Sequence, residues 1–284
     1  MRHVLRQHPA LRDDIADLST RRPLPGPALP HLDPFLFLNH HGPQVYPPHN
    51  HGLPFGPHPH RGFETVSFIL EGEMAHRDSG GHESVIGTGG IQWMTAGSGL
   101  VHAEISPESF KESGGALEIL QLWVNLPARL KMTQPAYTGL QREDIPAVPV
   151  PGGTVNLISG TFAGHTGPFT SLTGVAMMTV RLDANATLTL PAPKGHTVFC
   201  YVVAGEPDIG GTRCSEAHLI ELDQGGDCVD VRTSGPVTLL YGHAEPIGEP
   251  IVAHGPFVMN SREEIHQAIR DYQAGKFGGL PMTA

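Results

Sequence analysis

Charge is scarce in this chain of 284 residues: Asp, Glu, Lys and Arg make up only 16%, and 18 Lys and Arg face 28 Asp and Glu for a formal charge of −10. Too few cations remain to neutralise a run of phosphates or to hold an anionic bilayer, so neither direct nucleic-acid binding nor attachment to a membrane surface is expected. Cysteine is rarer still. Cys200, Cys214 and Cys228 are odd in number and lack the close pairing of a zinc knuckle, which excludes a disulfide framework and leaves reduced thiols. No apolar run approaches the roughly 18 to 20 residues that span a bilayer, and Met1-Arg2-His3-Val4-Leu5-Arg6-Gln7 lacks the apolar core of a signal peptide. A soluble cytoplasmic protein is expected.

Glycine and proline are abundant, with 35 and 27 copies, which is too much punctuation for a helical bundle and suits short strands joined by tight turns. The expected fold class is all-β, and the length suits two domains. Residues 24–46 read as an extended arm and loop with one strand over 32–38. From Glu64 to Leu70 the residues alternate as in a strand covered on both faces, and Met74 to Arg77 returns from the Glu71-Gly72-Glu73 turn. Further short strands follow at even spacing to Val124. Residues 127–153 carry five prolines and a charged run, placing the linker near residue 150, so the domains are expected at 1–150 and 151–284. A second strand series runs from Val155 to Tyr241. Ser261 and Glu264 form a capping box, Ile265, Ala268, Ile269 and Tyr272 recur at helical spacing and Gly275 supplies a stop, which predicts a terminal helix over about 261–274.

Histidine is the residue in excess, with 18 copies concentrated in the first half. In Pro57-His58-Pro59-His60-Arg61-Gly62-Phe63-Glu64 the two histidines lie two apart, and side chains two apart on a strand share a face and can converge on one ion. His102-Ala103-Glu104 repeats that arrangement after the turn Ala96-Gly97-Ser98-Gly99. One such pair is no better than an even bet; two shift the balance towards a site built from His58, His60, His102 and Glu104. A set rich in imidazole, with one carboxylate and no thiolate, suits one divalent ion: Fe(II) is favoured, and Mn, Co, Ni, Cu or Zn fit as well. Glu64 shares the strand parity of His58 and His60 and is expected to face inward, beside the ligands more than among them. His76 reads either as a proton-transfer group or as a satisfied core histidine. His40, His41, His49 and His51 are expected at the surface or on a pocket rim.

Residues 56–73 and 90–104 resemble the two cupin motifs, an H-x-H-x3-E block and a downstream G-x2-H block that furnish a metal site within a β-barrel. The usual second block gives only a histidine. Here Gly99-Leu100-Val101-His102-Ala103-Glu104 adds an H-x-E pair, the variant that the pirin family has. The resemblance extends through Leu32-Asp33-Pro34-Phe35, His58 to Val66, Gln92-Trp93-Met94-Thr95-Ala96-Gly97, Gln121-Leu122-Trp123-Val124-Asn125, Gly255 to Asn260 and Gly275-Lys276-Phe277-Gly278. It implies two cupin barrels face to face, with iron at His58, His60, His102 and Glu104 in the N-terminal one. In the C-terminal barrel His196 stands alone where a strand pair would be needed, and His218, His243 and His254 share no spacing, so that barrel is expected to be metal-free.

Similarity to pirin-like quercetin 2,3-dioxygenases implies an oxidoreductase that inserts dioxygen into a flavonol ring and releases carbon monoxide. An aromatic small molecule and dioxygen are then the partners, with Glu104 accepting the flavonol hydroxyl proton as ligand and base in one. The family also includes iron-dependent redox-sensing regulators that bind a transcription factor or a metabolic enzyme. That protein-binding reading is the alternative, weakened for DNA-bound factors by the acidic charge. The chain is expected to act as a monomer.

Overall fold

Short strands between glycine and proline turns build two compact units in the computed structural model, which describes residues 1–280. One unit comprises Arg12–Thr20, Phe37–Arg142 and the chain from Ile247 on; the other comprises Met1–Leu11, Arg21–Leu36 and Glu143–Pro246.

The first unit holds the histidine motifs. Five neighbouring strands of one sheet run in the order Ala136–Leu140, Ile91–Thr95, Phe63–Glu71, Gly115–Asn125 and Phe35–Tyr46. A second, antiparallel sheet runs Phe55–His60, Leu100–Ile105, Glu73–Asp78 and Glu83–Gly87. Ile69, Leu117 and Ile119 of the first sheet meet Met74 and Ile86 of the second in a buried apolar cluster. Each such side chain contributes roughly 1.5–3 kcal/mol of transfer free energy, which fixes the register of both sheets. On Glu73–Asp78 the buried positions are Met74, His76 and Asp78. A strand that alternates in this way yet buries a histidine and an aspartate marks the inner face as a place for chemistry.

The second unit repeats the pattern. Its sheet runs Val4–Pro9, His218–Leu222, Thr197–Ala204, Val237–Ala244, Ala176–Leu182, Gly153–Ser159 and Ala147–Val150, opposite a smaller sheet that contains Thr187–Pro191 and Cys228–Arg232. Leu188, Leu190, Val229 and Val231 of the small sheet share one core with Val180, Cys200, Val202 and Leu239 of the large one. The all-β class expected from composition and turn spacing, and the two barrels that the resemblance implies, are therefore present.

Two expectations need correction. Residues 24–46 do not form an arm with one short strand: Thr20–Leu24 and Phe35–Tyr46 are strands, and His40 and His41, expected at the surface or on a pocket rim, are buried. Their polar character hid the strand because their partners are distant in sequence, His40 Nε2 meeting Glu118 at 2.8 Å and His41 Nδ1 meeting Thr20 Oγ1 at 2.9 Å. His49 and the residue two on, His51, are at or near the surface, as expected. The division at residue 150 also fails at both chain ends, although the chain passes between units close to it, at Arg142 and Glu143. Val4–Pro9 pairs with His218–Leu222, and the buried Arg2 guanidinium donates to the carbonyls of Gly226, Ala192 and Pro193. At the other end Phe257, Met259, Ile265, Ala268 and Phe277 bury against Val101 of the histidine-bearing unit.

The terminal helix spans Arg262–Gln273. Ser261 Oγ accepts from the Glu264 N–H while the Glu264 carboxylate accepts from the Ser261 N–H, completing the capping box, and Gly275 follows at φ +74°. Among the described residues no helix is long and apolar enough to cross a membrane.

Candidate metal centre

His58 and His60 stand two apart on Phe55–His60, and the adjacent strand Leu100–Ile105 places His102 directly opposite His58. Directly opposed residues on one sheet face have Cβ atoms about 4.5–5.5 Å apart, so the register alone brings the three rings together. Ring centroids lie 4.3 Å apart for His58 and His102, 4.9 Å for His58 and His60, and 5.0 Å for His60 and His102. One nitrogen from each lies within 4.8 Å of the other two.

Two backbone carbonyls fix which nitrogen that is. His58 Nδ1 contacts the Gly56 carbonyl at 2.7 Å and His60 Nδ1 contacts the Pro256 carbonyl at 3.2 Å. A carbonyl only accepts, so each Nδ1 carries the proton and each Nε2 is left with a lone pair. Burial, and then the neighbouring His58, pushes the His60 imidazole down to about 3, while burial followed by His60, His58 and His76 drives His102 well below its ordinary value. All of this favours neutral, ligating rings.

His102 tests whether a metal fits. It is fully buried, and neither Nδ1 nor Nε2 has a hydrogen-bond partner. A buried polar atom without a partner costs about 1–3 kcal/mol, and a metal ion at the meeting point of the three rings removes that cost for the nitrogen facing it. Aromatic rings wall the centre on one side, with Phe63 and Trp123 at 5.0 and 5.3 Å from His60 and Phe37 stacked on Trp123 at 4.6 Å. The residues fit a divalent ion.

Glu104 lies two residues beyond His102 on the same strand and is buried, but the group of mutually close ligand atoms contains the three imidazoles without it. Its Oε1 accepts from Ser67 Oγ at 3.0 Å and Gln92 Nε2 at 2.5 Å, and its Oε2 from Gln121 Nε2 at 2.5 Å. Gln92, Ser67 and Gln121 are direct register partners on three neighbouring strands, so they form one polar row across the sheet. The Tyr137 hydroxyl donates to Gln92 Oε1 at 3.3 Å, which turns the amide so that its N–H₂ faces Glu104. A carboxylate offers about four lone-pair sites; three donors leave one, on Oε2.

Glu64 is fully buried and accepts from Thr95 Oγ1 at 2.7 Å; burial raises its carboxyl to about 7, against the opposing pull of Thr95 and Trp93. The parity expectation fails: the chain turns at Gly62, so Glu64 stands on a different strand from His58 and His60, on the sheet face opposite to Phe63 and Ser67, which meet His60 and Glu104, and it lies outside the imidazole group. His76 faces the same interior as the imidazoles, 5.5 Å from the His102 ring and stacked on Tyr137 at 4.0 Å, with Nε2 3.0 Å from Asp78 Oδ2. The Asp78 carboxylate also binds His82 Nδ1 at 3.0 Å. Burial alone would raise Asp78, but its bonds to His76 and His82 outweigh that and lower it to about 2. In the other unit His196 and His243, with no shared spacing in sequence, meet with their Nδ1 atoms 3.1 Å apart.

The sequence foretold the histidines but not Ser67, Gln92 or Gln121, whose only signal is polarity at strand positions that are otherwise apolar. The Pro256 carbonyl carries no sequence signal at all.

Comparison with known proteins agrees with this fold. Residues 17–124 match the family described as Pirin, and residues 177–278 match the Pirin C-terminal cupin domain. A Pseudomonas aeruginosa protein named "Putative quercetin 2,3-dioxygenase" is 43% identical over 249 residues, covering 87% of each chain. Human pirin is 41% identical over 269 residues, covering 91% of this chain and 87% of its own. The crystal structure of a quercetin 2,3-dioxygenase from Acinetobacter baumannii superposes with a TM-score of 0.89 at 33% identity, over 98% of this chain and 99% of that one. With both family domains matched and whole-length relatives above 40% identity, the chain belongs to the pirin family.

Proposed function

We propose that this protein is a mononuclear iron dioxygenase acting on quercetin-like flavonols, with His58, His60, His102 and Glu104 as the metal-holding set. The observation that carries the reading is His102, a fully buried imidazole with two unpartnered nitrogens at the meeting point of two rings whose Nε2 lone pairs are free. The relatives named as quercetin 2,3-dioxygenases support the substrate class. When bound, the ion supplies a Lewis acid and a one-electron redox couple.

The chain's own groups do the rest. Three neutral imidazoles hold the ion without adding charge to an apolar interior. Glu104 has one lone pair to spare, on Oε2, which would serve the ion before substrate arrives and, once released from it, accepts the proton of the flavonol hydroxyl: the substrate O–H bond breaks as a Glu104 O–H bond forms. Ser67, Gln92 and Gln121 fix the direction in which that lone pair points. Phe63 and Trp123 pack against His60 and keep water from that side.

Iron-loaded protein is expected to consume dioxygen and flavonol in equal amounts, read by an oxygen electrode and by loss of flavonol absorbance. His60→Ala is expected to abolish both iron content and turnover. Full iron occupancy without turnover would defeat the enzyme reading and favour an iron-dependent regulator with a protein partner.

A further inference from the structure

We infer that Asp271, on the terminal helix, is a positioning residue of the metal centre that acts through Arg61 on His60; the inference rests on the metal reading above. The starting point is that His60, alone among the three imidazoles, takes its orienting carbonyl from a distant part of the chain, Pro256. Pro256 belongs to a hairpin, Val252–His254 and Phe257–Met259, that crosses the turn following His60. The Val258 N–H donates to the Arg61 carbonyl at 3.1 Å. Gly62 makes the crossing sterically feasible: its φ is +89°, and a Cβ there would stand 2.0 Å from the Val258 oxygen.

The side chain of Arg61 ties the same turn to the helix. It is buried, donates from Nε to the Ser98 carbonyl at 2.7 Å and from a terminal nitrogen to Asp271 Oδ2 at 2.8 Å, and lies 4.5 Å over the Phe277 ring. Phe277 in turn fills the space beside Gly99, where a Cβ would meet its ring at 2.6 Å.

Asp271 is otherwise hard to account for. A carboxylate in the last turn of a helix faces the negative end of the helix dipole, and one that is also buried is tolerated only when paired. Lys276, on Oδ1, and then Arg61, on Oδ2, hold it far below the usual carboxylate range, and Gln267 is a second donor to Oδ1. A helix that merely had to end needs no acid there. Its distinctive partner is Arg61, one peptide away from His60. Without Asp271 the buried guanidinium loses its counter-charge and its reason to stay under the helix. The turn and the hairpin over it then loosen together, and His60 Nδ1 loses the acceptor that keeps Nε2 aimed at the centre.

Co(II) titrated into metal-free full-length protein tests this through its visible absorption, independently of any turnover. Asp271→Asn keeps the shape and removes the charge; it is expected to weaken Co(II) binding by up to about tenfold, the lower end of what loss of a direct outer partner of a ligating histidine brings because Asp271 stands further out, and to shift the bands. Asp271→Glu is expected to restore part of both. Ser261→Ala removes the cap at the opposite end of the same helix and is expected to lower Tm with Co(II) affinity unchanged. Identical affinity and spectrum in wild type and Asp271→Asn, or an equal loss in Ser261→Ala, overturns the positioning role. Wild-type protein that takes up no Co(II) overturns instead the metal reading on which it stands.

Discussion

Replacing His102 by leucine is expected to make the metal-free protein more stable while destroying the metal site. His102 is fully buried with both ring nitrogens unpartnered. Each unmet polar atom costs about 1–3 kcal/mol, and leucine fills a similar volume with none. Setting about 1 kcal/mol against the change of shape leaves a net gain of about 2 kcal/mol over metal-free wild type. Bound metal reverses the order. At a free concentration a thousandfold above Kd it adds about 4 kcal/mol to wild type and nothing to the variant. The expected ranking is therefore loaded wild type, then His102→Leu, then metal-free wild type. Trp93 and Trp123, the two tryptophans of the chain, both lie in the histidine-bearing unit, so the fluorescence midpoint in urea reports that unit. A His102→Leu midpoint at or below that of metal-free wild type would refute the reasoning, because the buried imidazole would then be satisfied without a metal.

Two further outcomes follow from buried titratable groups. Glu64 has its folded pKa raised from 4.5 to about 7 by burial, so wild type loses about 3 kcal/mol as pH climbs through that window, and metal-free Glu64→Gln does not; a stability difference between them that is the same at pH 5 and pH 8 would contradict this. His243 has its folded pKa lowered from 6.5 to about 4, by burial first and His196 second, so the other unit loses about 3 kcal/mol as pH falls through that window, and His243→Phe escapes the loss. Reaction of the buried Cys200 with dithiodipyridine in urea, at pH 4.5 and 6.5, measures it; equal acid sensitivity in the two proteins would rule it out.

The residues differ in how legible they were. His58, His60 and His102 could be read because a strand gives period two a spatial meaning, and two such pairs, His58 with His60 and His102 with Glu104, together outweigh the bland reading that either alone leaves open. The terminal helix was equally plain, since its capping box and stop are local in sequence. Ser67, Gln92 and Gln121 could not be read as a set: they become one row only when three strands are laid in register, and register is decided by apolar packing across the barrel. His40 and His41 misled for the same reason, their polarity being answered by Glu118 and Thr20 from other strands. The exchange of chain ends was invisible because it depends on which barrel offers a free sheet edge to Val4–Pro9 and an apolar patch to Phe257 and Phe277.

The partners of Glu104 also bear on why the proposed proton transfer suits a buried site. All three are neutral donors, where a lysine or arginine would have paired with the carboxylate more tightly. Beside these three donors Oε2 keeps one lone pair, and the hydroxyl oxygen of the resulting acid can still receive the N–H of Gln121. Charge is conserved inside the barrel during that step, because the carboxylate becomes neutral as the flavonol becomes an anion. Moving an uncompensated charge into such an interior would cost several kcal/mol.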